Sequence, residues 1–190
     1  VDSSVHTKYG EQQGAKRGYN THKPGRVSHH PLMAFIPECR MVANFWLRSG
    51  DAYTSNNIES FLDDTFEKLQ GKKVGLFRAD SGFYDKKVFN YLERKDIKYI
   101  IAVRLHRPLQ QKIAAQRTWL KVDNGIEIAQ STYQSPSWDK ERKIVMVRQY
   151  IPSRPKATGK TLRLFSDDEV LNKYRYSCFM TDLDLPAEIV

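Results

Sequence analysis

The sequence predicts an α/β fold whose C-terminal part is rich in β-strands. Short apolar runs with aromatic and β-branched residues have the length of strands. Two longer segments carry apolar residues at helical spacing. After residue 117 the pattern changes to strand-like runs separated by turns. A chain of 190 residues is long enough for one well-buried core that carries a further subdomain.

The first elements are strands and a loop. The opening VDSSV has the pattern of a strand end, and the segment from Tyr9 to Ser28 is rich in Gly, Lys, Arg and Asn, which predicts a polar loop. From His30 onward two apolar runs follow, PLMAFIPEC and MVANFWL. They predict two adjacent strands in an antiparallel hairpin.

The first helix is predicted by both its start signal and its spacing. The segment RSGDAYTSNN is typical of a turn before a helix, and Asn56 with Glu59 three residues later fits a capping box. The helix is expected to end near Gly71. Its buried face is predicted to contain Ile58, Phe61, Leu62, Phe66 and Leu69.

A strand, a helix and a strand follow. KVGLFRAD predicts a strand, the amphipathic stretch from Asp85 to Lys95 a helix, and IKYIIAVRL a further strand, which is the βαβ pattern of a parallel pair. Three early strands, a helix, a strand, a helix and a fifth strand match the order of the RNase H-like fold, a mixed sheet flanked by helices. We therefore predict an incomplete RNase H-like core at 1–117, with a generic α/β sandwich as the alternative.

The C-terminal part predicts a separate β-rich insertion. A helical stretch near Pro108 to Arg117 leaves the core, and the runs WLKV, IEIAQSTY, KIVMVRQYI and YRYSCFM then alternate with turn-forming segments. The insertion is predicted to span 118–182. The last residues, 183–190, are expected to begin another helix.

The charge of the chain favours a polyanionic partner. Thirty-one Lys and Arg against 22 Asp and Glu give a net charge of +9 and a pI near 9.5, as in many nucleic-acid-binding proteins. Ribosomal and membrane-surface proteins are also basic, so charge alone is not specific. The sequence has no apolar run near the roughly 18 residues that span a bilayer, and we expect no membrane partner. Cys39 and Cys178 lie far apart in sequence without metal-site spacing, which predicts two buried, reduced thiols in a cytoplasmic protein.

Two aspartates are the candidate catalytic residues. Asp2 lies at the end of the first predicted strand and Asp80 at the end of the fourth, and these strands are neighbours in the RNase H-like order. Two carboxylates at adjacent strand ends can share divalent cations, as two-metal phosphoryl transfer requires. Either residue alone could equally be a turn or helix cap.

Several segments together resemble the DDE transposases of bacterial insertion sequences. They are DSSV, YGEQQGAKRGYNTHKPGRVSHHPL, FWLRSGDAYTSNN, and RADSGFYDKKVFNYLE with YIIAVRL. The resemblance is dense through residue 105 and thin afterwards, and it indicates the branch with a β-rich insertion. It implies that Asp2 and Asp80 are the first two catalytic carboxylates. They would bind Mg²⁺ or Mn²⁺, two ions in the complete protein, while water or a 3′-hydroxyl attacks a phosphodiester in cut-and-paste DNA transposition.

The resemblance also implies a third acid and several partners. The third acid is a Glu on a helix after the insertion, preceded by Tyr and Arg, and no such motif occurs here. Glu188 has the context of a first-turn Glu favoured by the helix dipole. We therefore expect the catalytic Glu beyond Val190 and an inactive fragment. The implied partner is double-stranded DNA, both transposon ends and target, bound by a homodimer or a higher synaptic complex in the bacterial cytoplasm, at the nucleoid.

Basic residues after the first strand are candidates for phosphate contacts. Glycines separate Lys8, Lys16, Arg17, Lys23 and Arg26, which could instead form a solvated loop. Arg48 and Arg78 are similar candidates, although Arg78 could form a structural ion pair.

Aromatic and histidine side chains complete the set of candidates. Trp138 in SPSWDK is predicted to be an exposed indole that stacks on an unpaired base at a DNA end. Trp119 is expected to pack in a core. His29 and His30 are adjacent and would point to opposite faces of a strand, which favours a structural role over metal binding.

Two other functions are compatible with the sequence. The first is a basic nucleic-acid-binding module without chemistry, which predicts no metal binding by Asp2 or Asp80. The second is another RNase H-like nuclease such as a resolvase, which predicts that the β-rich insertion is absent.

Overall fold

The computed structural model describes residues 1–20, 22–152, 165 and 170–190. It divides into two compact units, Val1–Lys98 and Tyr99–Val190. The first unit combines strands with two α-helices and strands dominate the second, which confirms the predicted α/β class. The domain boundary predicted at residue 117 remains a prediction. Within the described residues, no helix is long and apolar enough to span a membrane.

The first unit begins with six strands in two small antiparallel sheets. The strands are β1 (Asp2–Ser3), β2 (His6–Thr7), β3 (Lys16–Arg17), β4 (Val27–His29), β5 (Leu32–Ile36) and β6 (Met41–Trp46). One sheet has the order β1-β5-β6, in which Asp2 pairs with Met33 and Leu32 with Trp46. The predicted hairpin of β5 and β6 is confirmed.

In the second sheet, with the order β2-β4-β3, strand β3 and most of β4 lie in the segment predicted to be a loop, whereas β2 precedes that segment. Thr7 and Lys16 both pair with Ser28, one on each side of β4. The prediction of a loop without strands was wrong, because strands of two or three residues are too short to show an alternating pattern. A side chain at Gly50 would overlap the carbonyl oxygens of Lys16 and Ser28, so this backbone packs closely against the small sheet.

Helix α1 (Ile58–Lys68) buries Ile58, Phe61 and Leu62, as its apolar spacing predicts. Its N-cap is Asn57, which has a left-handed φ of 58° and makes no side-chain capping bond. The predicted capping box of Asn56 and Glu59 was therefore wrong.

Strand β7 (Leu76–Ala79) and helix α2 (Lys86–Arg94) follow and confirm the predicted strand and helix. Asp85 caps α2 by accepting a hydrogen bond from the backbone nitrogen of Lys87. The Tyr91 hydroxyl donates to Asp63 of α1 at 2.7 Å, so a buried polar contact joins the two helices.

The second unit contains one extended antiparallel sheet. The elements of this unit are β8 (Lys98–Ala102), which enters the unit at Tyr99, helix α3 (Arg107–Ala115), β9 (Leu120–Asp123), β10 (Ile126–Tyr133), β11 (Arg142–Tyr150) and β12 (Tyr174–Thr181). Within this unit the strand order is β8-β12-β11-β10-β9. All the predicted strands are present. The fully buried side chains Tyr99, Ile144 and Met146 form much of its core.

The end of the second unit differs from its prediction. Residues 187–189 form a turn, closed by a hydrogen bond from the Ile189 nitrogen to the Pro186 oxygen. A helix start was expected over 183–190. One turn satisfies a single backbone group and does not amount to the first helical turn.

Candidate active site

The two candidate carboxylates lie on neighbouring backbone segments of the first unit. The Val1 nitrogen donates a 2.6 Å hydrogen bond to the Arg78 carbonyl oxygen, which joins the start of β1 to β7. Asp2 follows on β1, and Asp80 comes directly after β7. Burial lowers the pKa of the Val1 amine, and the negative charges of Asp2 and Asp80 oppose this shift. The negative charges of both carboxylates therefore lie within electrostatic range of the Val1 nitrogen.

Each carboxylate is oriented by a backbone amide close to it in sequence. Asp2 Oδ1 accepts from the Ser3 nitrogen at 2.8 Å, and Asp80 Oδ1 accepts from the Gly82 nitrogen at 2.9 Å. Both residues are exposed. Within the described part of the chain, Oδ2 of neither aspartate has a hydrogen-bond or ion-pair partner. One oxygen of each carboxylate is thus fixed and the other can bind a ligand.

The carboxylate oxygens of Asp2 and Asp80 are of the type that binds hard divalent cations. Carboxylate oxygens are the ligands that Mg²⁺ and Mn²⁺ prefer. Among the described residues, no group of three or more His, Cys, Asp or Glu side chains is placed to hold a metal ion. Asp2 and Asp80 are the two candidate ligands on these neighbouring segments, and a metal site shared between them stays a prediction.

Gly82 is required by the tight turn that holds Asp80. Asp80 caps a short 3₁₀ helix, Ser81–Phe83. A Cβ atom at Gly82 would lie 2.8 Å from Thr54 Cγ2 and 3.0 Å from Asp80 Oδ1. Only glycine lets this backbone approach both groups, which explains the glycine in the ADSG sequence.

Arg48 lies next to the strand that carries Asp2 and is buried, with 9% of its surface exposed. Its Nε donates to His30 O at 3.0 Å and its Nη1 to Asn56 O at 2.8 Å. Its Nη2 donates to Ser3 Oγ at 3.2 Å, beside Asp2. Arg48 would have to give up these partners to contact DNA, and its DNA contact stays a prediction. Burial lowers the pKa of Arg48 to about 10, which leaves it charged at neutral pH.

Two of the other predicted DNA contacts have partners within the protein. Lys16 forms an ion pair with Asp51 at 3.4 Å. The Lys23 ammonium donates to the Tyr9 hydroxyl and lies 4.8 Å from the centre of the Tyr9 ring. Both lysines keep a DNA-binding role as a prediction, but each would have to give up a partner.

Three cations share a cavity. Lys8, Arg17 and Arg26 line a cavity of about 410 Å³ beside the small sheet β2-β4-β3. All three are among the predicted phosphate contacts, but the sequence does not separate them from Lys16 and Lys23. Arg78 has an exposed side chain elsewhere in the first unit, and its DNA contact stays a prediction.

Trp138 is buried, with 8% of its surface exposed. Its ring packs edge-on against Tyr133 at 5.7 Å, and the Arg142 guanidinium lies 5.1 Å from its centre. The prediction of an exposed indole for base stacking was wrong, because the SPSWDK turn folds its aromatic side chain inward.

The remaining aromatic and histidine expectations agree with the structure. Trp119 is half-buried, 6.2 Å from the Tyr176 ring and 4.4 Å from the Arg148 guanidinium. His29 and His30 are buried, and His30 Nδ1 lies 2.7 Å from the Ala52 carbonyl oxygen. The two histidines therefore have structural positions.

Comparison with solved structures identifies the fold. The chain is similar to the cryo-EM structure of the piggyBac transposase synaptic complex with hairpin DNA, with 12% identity and a TM-score of 0.52. The match covers 97% of this chain and 33% of that one, so the chain spans about a third of that transposase. This likeness confirms the predicted RNase H-like fold with its β-rich part. No curated protein sequence matches the chain significantly.

A protein-family model gives the relationship directly. The model described as Transposase DDE domain group 1 matches residues 1–156, which is more than half of the chain. The matched region includes both Asp2 and Asp80 and continues through the first strands of the second unit. The chain therefore belongs to the DDE transposase family described as Transposase DDE domain group 1.

Proposed function

We propose that this chain is part of the catalytic core of a DNA transposase that hydrolyses phosphodiesters at transposon ends and joins those ends to target DNA. The observation that carries the proposal is the pair Asp2 and Asp80, each with one carboxylate oxygen fixed by a local amide. Membership of the DDE family and the fold support the same activity.

In this proposal Asp2 and Asp80 hold the divalent cations through their outward oxygens. Mg²⁺ or Mn²⁺, two ions in the complete enzyme, would activate water or a 3′-hydroxyl and stabilise the leaving oxygen. Ser3 and Arg48 anchor the strand that carries Asp2, and the Gly82 amide orients Asp80. In this proposal a third carboxylate, a Glu, completes the set.

The proposed partner is double-stranded DNA, both transposon ends and target. The similar piggyBac transposase was solved with hairpin DNA, and this chain has a net charge of +9. An end-joining reaction has to hold two DNA ends together, so a homodimer or a higher synaptic complex is the proposed working form. The proposed location is the bacterial cytoplasm, at the nucleoid.

Mn²⁺ titration followed by electron paramagnetic resonance tests the carboxylate pair in the 190-residue chain. Asp2→Asn and Asp80→Asn should each weaken Mn²⁺ binding about tenfold or more, because each removes a negatively charged ligand. Asp85→Asn is the matched control, since Asp85 also bonds a backbone amide two residues later. It should leave Mn²⁺ binding unchanged.

Equal Mn²⁺ binding by the wild type and both site variants would contradict the metal-dependent function. It would favour the basic nucleic-acid-binding module without chemistry. DNA affinity measured with and without Mn²⁺ would then identify that module, because its binding should not depend on the metal.

A further inference from the structure

We infer that Lys8, Arg17 and Arg26 form a pocket for one backbone phosphate of duplex DNA. This inference rests on the proposed function and adds to it a specific anchoring site away from the two aspartates. The three cations line the same cavity of about 410 Å³, together with Gly10 and Gly25. We call it the phosphate pocket.

The small sheet holds the three cations around one residue, Val27. The Lys8 nitrogen donates to the Val27 carbonyl oxygen at 2.9 Å. Arg17 on β3 pairs directly with Val27 on β4, and Arg26 precedes Val27 in the chain. Backbone pairing therefore fixes the spacing of the three Cα atoms before any ligand binds, which lowers the backbone part of the ordering cost of binding.

The charge in the phosphate pocket is not neutralised by the protein. Within the described residues, Lys8, Arg17 and Arg26 form no ion pair with an acid, and no acidic residue lines the cavity. The Arg26 guanidinium lies 5.8 Å from the centre of the Tyr9 ring, which is not an acidic partner. Three unpaired cations at one cavity repel one another, and a bound anion would relieve this repulsion. The two non-bridging oxygens of a phosphodiester match the planar pair of donors of an arginine.

Two glycines keep the cavity open. Gly10 has a φ of 84° and Gly25 a φ of 81°, conformations that favour glycine, and an added Cβ would meet nothing within 4 Å at either one. The backbone therefore turns at the cavity wall without side chains that would occupy the space. A phosphate group can approach the main chain there.

The position along the chain limits which phosphate is bound. Lys8 follows Asp2 by six residues, so their Cα atoms are at most about 20 Å apart. That span corresponds to about six base pairs of duplex. The phosphate pocket would therefore anchor the backbone within about six base pairs of the cleaved bond, positioning the DNA without reading its sequence.

Fluorescence anisotropy with a labelled duplex tests the phosphate pocket in the 190-residue chain between 50 and 200 mM NaCl. The double variant Arg17→Gln/Arg26→Gln should weaken binding about tenfold and reduce the salt slope by about 2. The double variant Lys72→Gln/Lys73→Gln is the matched control, because it also removes two exposed positive charges, between α1 and β7. It should change the affinity less than about twofold.

Equal losses in the Arg17→Gln/Arg26→Gln and Lys72→Gln/Lys73→Gln variants would overturn the phosphate pocket in favour of diffuse surface charge. Circular dichroism checks folding, and Arg17→Lys, which keeps the charge, should retain most of the affinity. Mn²⁺ titration of the same proteins separates the two proposals. Intact Mn²⁺ binding with equal losses overturns the pocket alone, whereas a selective loss in a chain that binds no Mn²⁺ supports the pocket and contradicts the metal-dependent function.

Discussion

Arg48 and Arg78 have the same side chain but occupy different environments in the first unit. Arg78 is exposed, and its carbonyl oxygen accepts the bond that joins β7 to β1. Arg48 is buried and donates to the carbonyl oxygens of His30, Tyr53 and Asn56 and to Ser3 Oγ. Both residues have the same predicted role, because the sequence does not show which carbonyl oxygens the fold brings to Arg48.

Replacing Arg48 with Met should destabilise the protein by about 3 kcal/mol or more, because several buried carbonyl oxygens would lose their donors. Arg78→Met should change the free energy of unfolding by less than about 0.5 kcal/mol, as exposed substitutions do. Urea unfolding followed by fluorescence measures both. Similar values for the two variants would show that Arg48 is not the link between β1 and the 53–56 turn.

At the level of elements, the small sheet β2-β4-β3 depends on two glycines at a close backbone crossing. A Cβ at Gly18 would overlap the carbonyl oxygen of Gly50, and a Cβ at Gly50 would overlap that of Lys16. No side chain fits between these segments. The crossing therefore holds β3 in the position that presents Arg17 to the phosphate pocket.

Gly50→Ala should cost about 3 kcal/mol of stability, because the backbone must move apart to admit a methyl group. It should also weaken duplex binding, since Arg17 would shift with β3. Gly75→Ala is the control, because a Cβ there meets nothing within 4 Å, and it should be neutral or stabilise by up to about 1 kcal/mol. Urea unfolding and anisotropy report the two effects, and equal stability of both variants would refute the close crossing.

Elements with a clear period were predicted from the sequence, and elements set by a few tertiary contacts were not. The β5-β6 hairpin and helix α2 follow from alternating and helical apolar patterns. The small sheet has strands too short for a pattern, and α1 begins at Asn57 in a left-handed conformation that no capping motif indicates. Local patterns predict elements of five residues or more better than the turns between them.

At the scale of the whole molecule, the site illustrates the same difference. Asp2 and Asp80 are predicted to lie together because their strands are neighbours in the RNase H-like order. The hydrogen bond from Val1 to Arg78 joins the two backbone segments, although β1 and β7 belong to different sheets. The burial of Trp138 depends on Tyr133 and Arg142, which a turn-like sequence does not reveal. The sequence predicted phosphate contacts by Lys8, Arg17 and Arg26 together with two other lysines. It could not show that these three residues share one cavity, because that depends on the pairing within the small sheet.

The two cysteines report on the two units separately. Cys39 is exposed in the first unit, whereas Cys178 is buried on β12, which lies between β8 and β11 in the second. The prediction of a buried thiol was therefore wrong for Cys39 and is confirmed for Cys178. Burial raises the pKa of the Cys178 thiol to about 12, so its reactive thiolate is scarce at pH 8. In the native protein we therefore expect one fast-reacting thiol.

Ellman's reagent at pH 8 should modify Cys39 within minutes and Cys178 about a thousandfold more slowly, because β12 must first leave the sheet. In a Cys39→Ser variant the slow rate then measures the opening of β12 alone. Urea should raise that rate until both thiols of the wild type react alike. Fast modification of Cys178 in the native protein would mean that β12 is not held between two strands, and the sheet order of the second unit would be wrong.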